Sequence, residues 1–435
     1  MHALQRALAC AAVVAVAMLG SQAQAQENFF TGAVDSDYLN PGNWSLGILP
    51  GDPGGGFPTI ADAPVNTPLT ADLAGSPPVI NGDLRIGKVG GDGTLNHSSG
   101  TITHNGWAFI GVDSNVLGQS IATYNLTGDA SYIQDGLVNE RRFEVASRSA
   151  DGQVDPMATV NVDTTGELTT SNASVGGTGN GTLNLMNGTH NAQGFLNVGT
   201  GFDGLDGGTG VYNQTGGTLN VLGGIAPFGA QGWMSIANGS ASTGTYNMTG
   251  GVVNQGIDFL TVGDNGNGTF NHDGSAGSPD LNVTDRGIIV GRNAGSTGLL
   301  SVTGAGGEID TTGLIVGLND LLDPGGSGTL EFTSVAGDVN AITASGDVNL
   351  GDANLLVDIE TSAILANEVL LVAVGGSVVG EFNGLPEGTV VPGAGGRFIS
   401  YAGGDGNDIV LTIPEPMSIV MLLTGGVACL VRRRV

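Results

Sequence analysis

A short pattern of apolar and polar positions recurs along most of the chain. The unit Gly-Thr-apolar-Asn stands at Gly93-Thr94-Leu95-Asn96, Gly181-Thr182-Leu183-Asn184, Gly244-Thr245-Tyr246-Asn247 and Gly268-Thr269-Phe270-Asn271. Variants are Ala122-Thr123-Tyr124-Asn125, Ala158-Thr159-Val160-Asn161 and Gly210-Val211-Tyr212-Asn213. Two weaker copies are Gly298-Leu299-Leu300-Ser301 and Gly328-Thr329-Leu330-Glu331. The third residues fall at 95, 124, 160, 183, 212, 246, 270, 300 and 330, about 29 residues apart on average. The third residue is always apolar, and the fourth is Asn in seven of nine copies. The fifth is apolar in six of nine. Apolar–Asn–apolar is the period-two alternation of a half-buried strand.

A Gly-containing turn and an apolar-Gly pair usually follow, as in Ile86-Gly87, Ile110-Gly111, Val198-Gly199, Val262-Gly263, Val290-Gly291 and Val316-Gly317. One short strand unit per ~29 residues predicts one coil of a β-solenoid, since a single coil cannot bury its apolar face alone. The expected fold is all-β: a right-handed parallel β-solenoid (β-helix) with Gly-rich turns, capped at both ends. Stacked ~4.8 Å apart, the Asn residues would form an outer ladder with each amide bonded to the next. The Gly residues would supply corners at positive φ. A propeller or sandwich is the competing architecture. Propeller repeats run longer and commonly carry Trp in each blade, whereas Trp stands only at 44, 107 and 233.

Composition narrows the class further. Of 435 residues, 78 are Gly and 16 Pro, and Lys and Arg total 12 against 40 Asp and Glu, for a net charge of −28. A nucleic-acid binder needs a basic stripe, so that class is excluded. So much Gly excludes a helical protein, and the lack of a three-residue Gly period excludes collagen. With 40% apolar residues, the chain has enough to bury that disorder is not expected.

The flanks read as caps, over 26–80 and 345–413. The first holds Pro77-Pro78, Asn43-Trp44 and an acidic stretch ending in Asp62. It resembles the opening segment of autotransporter-like solenoids. The second holds Leu355-Leu356-Val357, Val369 to Val374 and the run Tyr401 to Leu411, and resembles the closing strands of autotransporter-like passenger domains. The repeat region proper is set at 81–344.

Both ends read as targeting signals. Arg6, the apolar run Leu8 to Leu19 and the site Ala23-Gln24-Ala25 form a secretory signal over 1–25, with cleavage expected before Gln26. At the other end Pro414-Glu415-Pro416 precedes the uncharged run Met417 to Val431 and then Arg432-Arg433-Arg434. That run falls just short of the ~17–25 residues of a spanning helix, and the arginines would keep its end cytoplasmic. The segment 414–435 resembles the bacterial PEP-CTERM sorting signal. This resemblance implies a transmembrane helix, recognition by an exosortase-type processing enzyme that cuts at the motif, and a Gram-negative host that makes exopolysaccharide. Cys10 and Cys429 lie in the two signals, so the mature body is expected to hold no cysteine.

Candidate chemistry is sparse. Gly403 to Leu411 fits one copy of the Ca²⁺-binding nonapeptide, with Asp405 and Asp408 as its acids. Such sites share ions between stacked copies, so a capping hairpin is the better expectation and no cofactor is assigned. Gly82 to Val89 lacks the hydroxyl that a P-loop needs at Val89. His97 and His272 share the fifth repeat position, several coils apart; with His104 and His190 they read as polar variants in the wall rather than as metal ligands. The dense charge cluster, Asn139 to Glu144 with Arg148 and Asp151, reads as a solvated insertion between repeats, a contact loop for an anionic glycan or a partner at most.

These features predict an exported structural or adhesive protein without catalysis. It would pass through an inner-membrane intermediate to the envelope, surface or extracellular matrix, with exopolysaccharide as a candidate partner. The alternative is a carbohydrate-active β-helix enzyme, a polysaccharide lyase or hydrolase. An enzyme should show a groove of three or more acids or an Arg–acid cluster across neighbouring coils. A structural protein should show a regular wall of Asn, Thr and Ser.

Overall fold

The computed structural model describes residues 26–413 apart from 63–67, 115–117, 135–140, 148–153, 202–206, 224–231, 318–324, 352 and 360–367. The segments 1–25 and 414–435, with Ala23, Ala25, Pro414, Glu415, Pro416 and Arg432 to Arg434, lie outside the described residues. The protein is all-β, built from long parallel sheets in the manner of a β-helix. A typical coil contributes one strand to each of three faces. In one coil these are Thr243–Met248, Val252–Gln255 and Phe259–Val262. The next coil supplies Asn267–Gly274, Asp280–Val283 and Gly287–Val290, each paired in parallel with its counterpart. The third face is a 13-stranded sheet from Glu27–Phe30 to Val378–Gly380. The first two faces join into one sheet because Met157–Thr170 and Asn180–Ala192 run on through the corner between them.

Register on the first face follows the repeat. Leu95, Tyr124, Val160, Leu183, Tyr212, Tyr246, Phe270, Leu300 and Leu330 pair in succession. All nine are fully buried. A one-residue slip would turn this whole row to solvent, so burial holds the register. The Tyr212, Tyr246 and Phe270 rings stack inside at 4.7 and 4.8 Å. The fifth-position side chains, from His97 to Phe332, point inward as well. Parallel pairing continues past the repeat region at both ends. Leu69–Ala74 pairs with Asp92–Ser99, and Ala353–Asp358 with Ser327–Thr333.

The asparagines form the expected ladder on the outside. Asn271, Asn247, Asn213, Asn184, Asn161 and Asn125 each donate an amide N–H to the preceding Asn oxygen, at 2.7–2.8 Å. Asn96 ends the row by donating to Asp72 at 2.8 Å. A second ladder, outside the Gly-Thr-apolar-Asn repeat, climbs the second face from Glu167 through Asn191, Asn220, Asn254 and Asn282. Each ladder starts on a carboxylate, which accepts hydrogen bonds without needing a donor of its own.

The apolar-Gly pairs mark the corner that follows the third face. Gly87, Gly111, Gly199, Gly263, Gly291 and Gly317 all have φ between +64 and +73°. A Cβ at Gly199 would lie 2.3 Å from the Thr243 carbonyl oxygen of the next coil, so conformation and space both select Gly there. Ala61, Ala146 and Ala237 hold the same corner at φ 57–63° and carry the strain that an L-residue meets there.

Both ends of the stack are covered. At the first, Ser45 N–H donates to Phe29 and Thr31 N–H to Asn43, along the free edge of Glu27–Phe30. Lys88 and Arg85 reach Glu27 at 2.8 and 3.0 Å. Burial alone would raise the Glu27 pKa; hydrogen bonds from Lys88 and Thr59 and the two cationic charges lower it overall. At the other end the direction of pairing reverses. Asp408–Thr412 runs antiparallel to both Glu368–Val374 and Phe398–Gly403, ending the parallel ladder. Among the described residues no helix is long and apolar enough to cross a membrane.

The charged run requires a correction. Its described part is not an insertion: Arg142–Ser147 is a strand of the third sheet, paired on both sides. Alternation places Phe143 and Val145 inward, and Glu144 outward yet buried, with Arg142 at 3.6 Å. Two arginines and two acids in one window hid an ordinary wall strand.

Candidate binding cleft on the third face

The outer surface of the third sheet differs from the other two. Four strands carry a half-buried aromatic residue at or just before their start, three positions before the corner pair: Trp107, Phe195, Trp233 and Phe259. Their alignment creates a stripe of rings and guanidiniums along the stack. Arg85 lies 4.9 Å from the Phe57 ring and 5.9 Å from Phe109, and Phe109 stacks on Trp107 at 5.5 Å. Arg142 bridges Trp107 and Phe195 at 5.7 and 5.6 Å. Phe195 then stacks on Trp233 at 5.3 Å, nearly parallel. Guanidinium over an aromatic face is attractive, and more so where half-desolvated.

Beyond Trp233 the stripe opens into a cleft of about 330 Å³ lined by Trp233, Asn238, Asp258, Phe259, Thr261, Asp264, Arg286 and Arg292. Three successive coils build it, through Met234–Ile236, Phe259–Val262 and Gly287–Val290. Thr261, outward in the middle strand, forms part of the lining. Each end carries an Arg–Asp pair across adjacent coils. Arg286 lies 3.7 Å from Asp258 and 5.7 Å from the Phe259 ring. Arg292 lies 3.3 Å from Asp264, whose carboxylate also accepts from Asn293 at 3.1 Å and Ser235 at 3.4 Å. Burial raises the Asp264 pKa, and the Arg292 charge and the Ser235 and Arg292 hydrogen bonds only partly offset this. Asn197 fixes the near wall by accepting from Trp233 Nε1 and Asn238 Nδ2, each at 3.2 Å.

The histidines lie elsewhere, inside the solenoid. His97 Nδ1 is 3.1 Å from the Tyr124 hydroxyl, His104 Nδ1 is 3.1 Å from Tyr132 and His190 Nδ1 is 3.0 Å from Tyr212. His272 Nε2 sits 2.8 Å from the Pro279 carbonyl oxygen. Desolvation lowers all four pKa values, to about 4 for His97 and about 3 for His104 and His190. They are neutral polar members of the core, and the structure brings no two of them to a shared site. Among the described residues no three His, Cys, Asp or Glu side chains gather as metal ligands. Asp405 stands in the hairpin turn between Phe398–Gly403 and Asp408–Thr412. The Asp408 carboxylate accepts from the Val374 backbone N–H at 2.8 Å.

The cleft escaped sequence reading because its charges are far apart in the chain and individually ordinary. A signal was present: the aromatic recurs at a constant offset before the corner, from Trp107 with Ile110-Gly111 to Phe259 with Val262-Gly263. The cleft can offer a ring surface, two carboxylates and two guanidiniums to a polar ligand. Comparison of the chain with protein-family models, curated proteins and solved structures gives no match.

Proposed function

We propose that this chain is an exported structural or adhesive protein of the envelope or extracellular matrix of a Gram-negative bacterium, without catalysis. In this reading the 1–25 signal directs export and an exosortase-type enzyme processes the chain at Pro414-Glu415-Pro416. The Met417 to Val431 helix holds it at the inner membrane until then, with Arg432 to Arg434 inside. The solenoid would be right-handed, as parallel crossovers almost always are. The observation that carries the reading is the pair of outer Asn ladders, a regular uncharged wall repeated coil after coil. Such a wall is self-supporting without disulfides, which suits a cysteine-free body outside the cell. Mass spectrometry of the surface fraction of the native host tests it. A C-terminal peptide ending near Glu415 is the expected result. A peptide ending at Val435 in that fraction would refute processing.

The Arg–Asp pairs across neighbouring coils favour one second reading, a carbohydrate-active enzyme. Release of new reducing or unsaturated ends from a polysaccharide incubated with the purified protein would establish it.

A further inference from the structure

The cleft on the third face combines features that select one kind of ligand. Trp233 stacks on Phe195 and also lines the cleft. Phe259 lines it from the next coil and is held from beyond by Arg286. Between the two Arg–Asp pairs the lining is Trp233, Phe259 and Thr261, the last of them buried at 2% exposure. Asp264 is a charged side chain only 11% exposed, within hydrogen-bond reach of Ser235, Arg292 and Asn293. Its position is therefore set before any ligand arrives. The side chains of Arg286 and Arg292 are 62% and 45% exposed, and each guanidinium has more N–H groups than its one aspartate partner takes up.

We propose that this cleft binds a neutral pyranose unit of a polysaccharide. The C–H face of a sugar ring is apolar and complements an aromatic surface, while its hydroxyls radiate at the rim. There they would donate to Asp258 and Asp264 and accept from Arg286, Arg292 and Asn238. Charge decides between neutral and acidic sugars. The two arginines and two aspartates cancel, so the cleft offers no net attraction to a uronate, and the −28 charge of the whole chain repels a polyanion. A peptide strand is disfavoured, because the strands forming the floor already pair on both sides. The stripe from Phe57 to Trp233 leads into the cleft along the stacking axis, so a longer chain would lie across the coils.

This inference deepens the adhesive reading and rests on it only for where the protein meets polysaccharide. The test is titration of the purified full-length protein in detergent with neutral hexasaccharides: cellohexaose, xylohexaose, mannohexaose and maltohexaose. Hexagalacturonate serves as the charged control. Intrinsic tryptophan fluorescence and calorimetry are the readouts. At least one neutral hexasaccharide should bind and shift the fluorescence, and hexagalacturonate should bind about tenfold more weakly or not at all. Trp233→Phe should abolish the fluorescence shift, and Trp233→Ala should weaken binding about tenfold. Arg286→Gln is an exposed change that keeps the fold if Trp233→Ala does not, and it should weaken binding measurably. The proposal is overturned if no neutral hexasaccharide binds, if hexagalacturonate binds better, or if both Trp233→Phe and Arg286→Gln bind unchanged. Failure here leaves the export and processing result standing, and an intact Val435 in the surface fraction leaves the titration standing.

Discussion

The hydroxyl of Tyr246 donates to Oε1 of Gln214 at 2.6 Å, deep in the solenoid. Gln214 is a fifth-position residue of one coil and Tyr246 the third-position residue of the next, the same relation as His97 to Tyr124. Gln and His thus solve one problem, a tyrosine hydroxyl buried where only the preceding coil can meet it. Tyr246→Phe would leave the Gln214 oxygen buried without that donor, at a cost of about 1–3 kcal/mol. Urea unfolding should show this loss of stability with an unchanged m-value.

The two solutions differ in their response to pH. His97 has a folded pKa of about 4 against 6.5 when unfolded, because burial disfavours its charged form. Below pH 6.5 the unfolded chain therefore takes up protons that the folded one refuses. Stability is fully present above pH 6.5 and declines as pH falls toward 4, by about 3 kcal/mol for a group with this shift. His104 and His190 act in the same direction, with folded values of about 3. Thermal unfolding measured from pH 7 to pH 4 should show a falling Tm. His97→Gln, copying the Gln214 arrangement, should make that fall shallower. An identical slope in the variant would refute the assignment of His97 as a buried neutral group.

Leu183 and Asn184 separate inside from outside. Leu183→Asp would place a carboxylate among buried neighbours and should cost several kcal/mol, enough to lower Tm sharply. Asn184→Asp loses the N–H donated to Asn161 but keeps an acceptor for Asn213. Its expected cost is about 1 kcal/mol. Equal effects on chemical denaturation would mean that Leu183 does not face the core.

The corner residues make a paired test. Gly199→Ala brings a Cβ against the Thr243 carbonyl at positive φ and should destabilise by about 2 kcal/mol or more. Ala237→Gly relieves the same conformation at φ 63° and should leave Tm unchanged or raise it. Differential scanning calorimetry of both variants decides the matter.

The period-two alternation and the ~29-residue spacing were enough to determine the all-β class, the inward row from Leu95 to Leu330 and the outward Asn ladder. They were enough because a parallel stack makes sequence repeats into spatial neighbours: a local pattern, copied in register, becomes a long-range contact. The apolar-Gly pairs were legible for the same reason, since a backbone conformation that Gly favours recurs at one place in each coil. Other features depended on contacts that no repeat announces. The second Asn ladder has too loose a surrounding motif to be seen before its strands are aligned. The charges around Arg142–Ser147 mask a wall strand, which only its pairing with two neighbours reveals. The repeat pattern places the histidines at wall positions, and only the packed interior shows each as a partner or neighbour of a specific tyrosine hydroxyl or carbonyl. The cleft is the clearest case. Trp233, Asp258, Asp264, Arg286 and Arg292 come from three coils, and only the stacking of those coils brings two pairs of opposite charges and an aromatic ring to one surface.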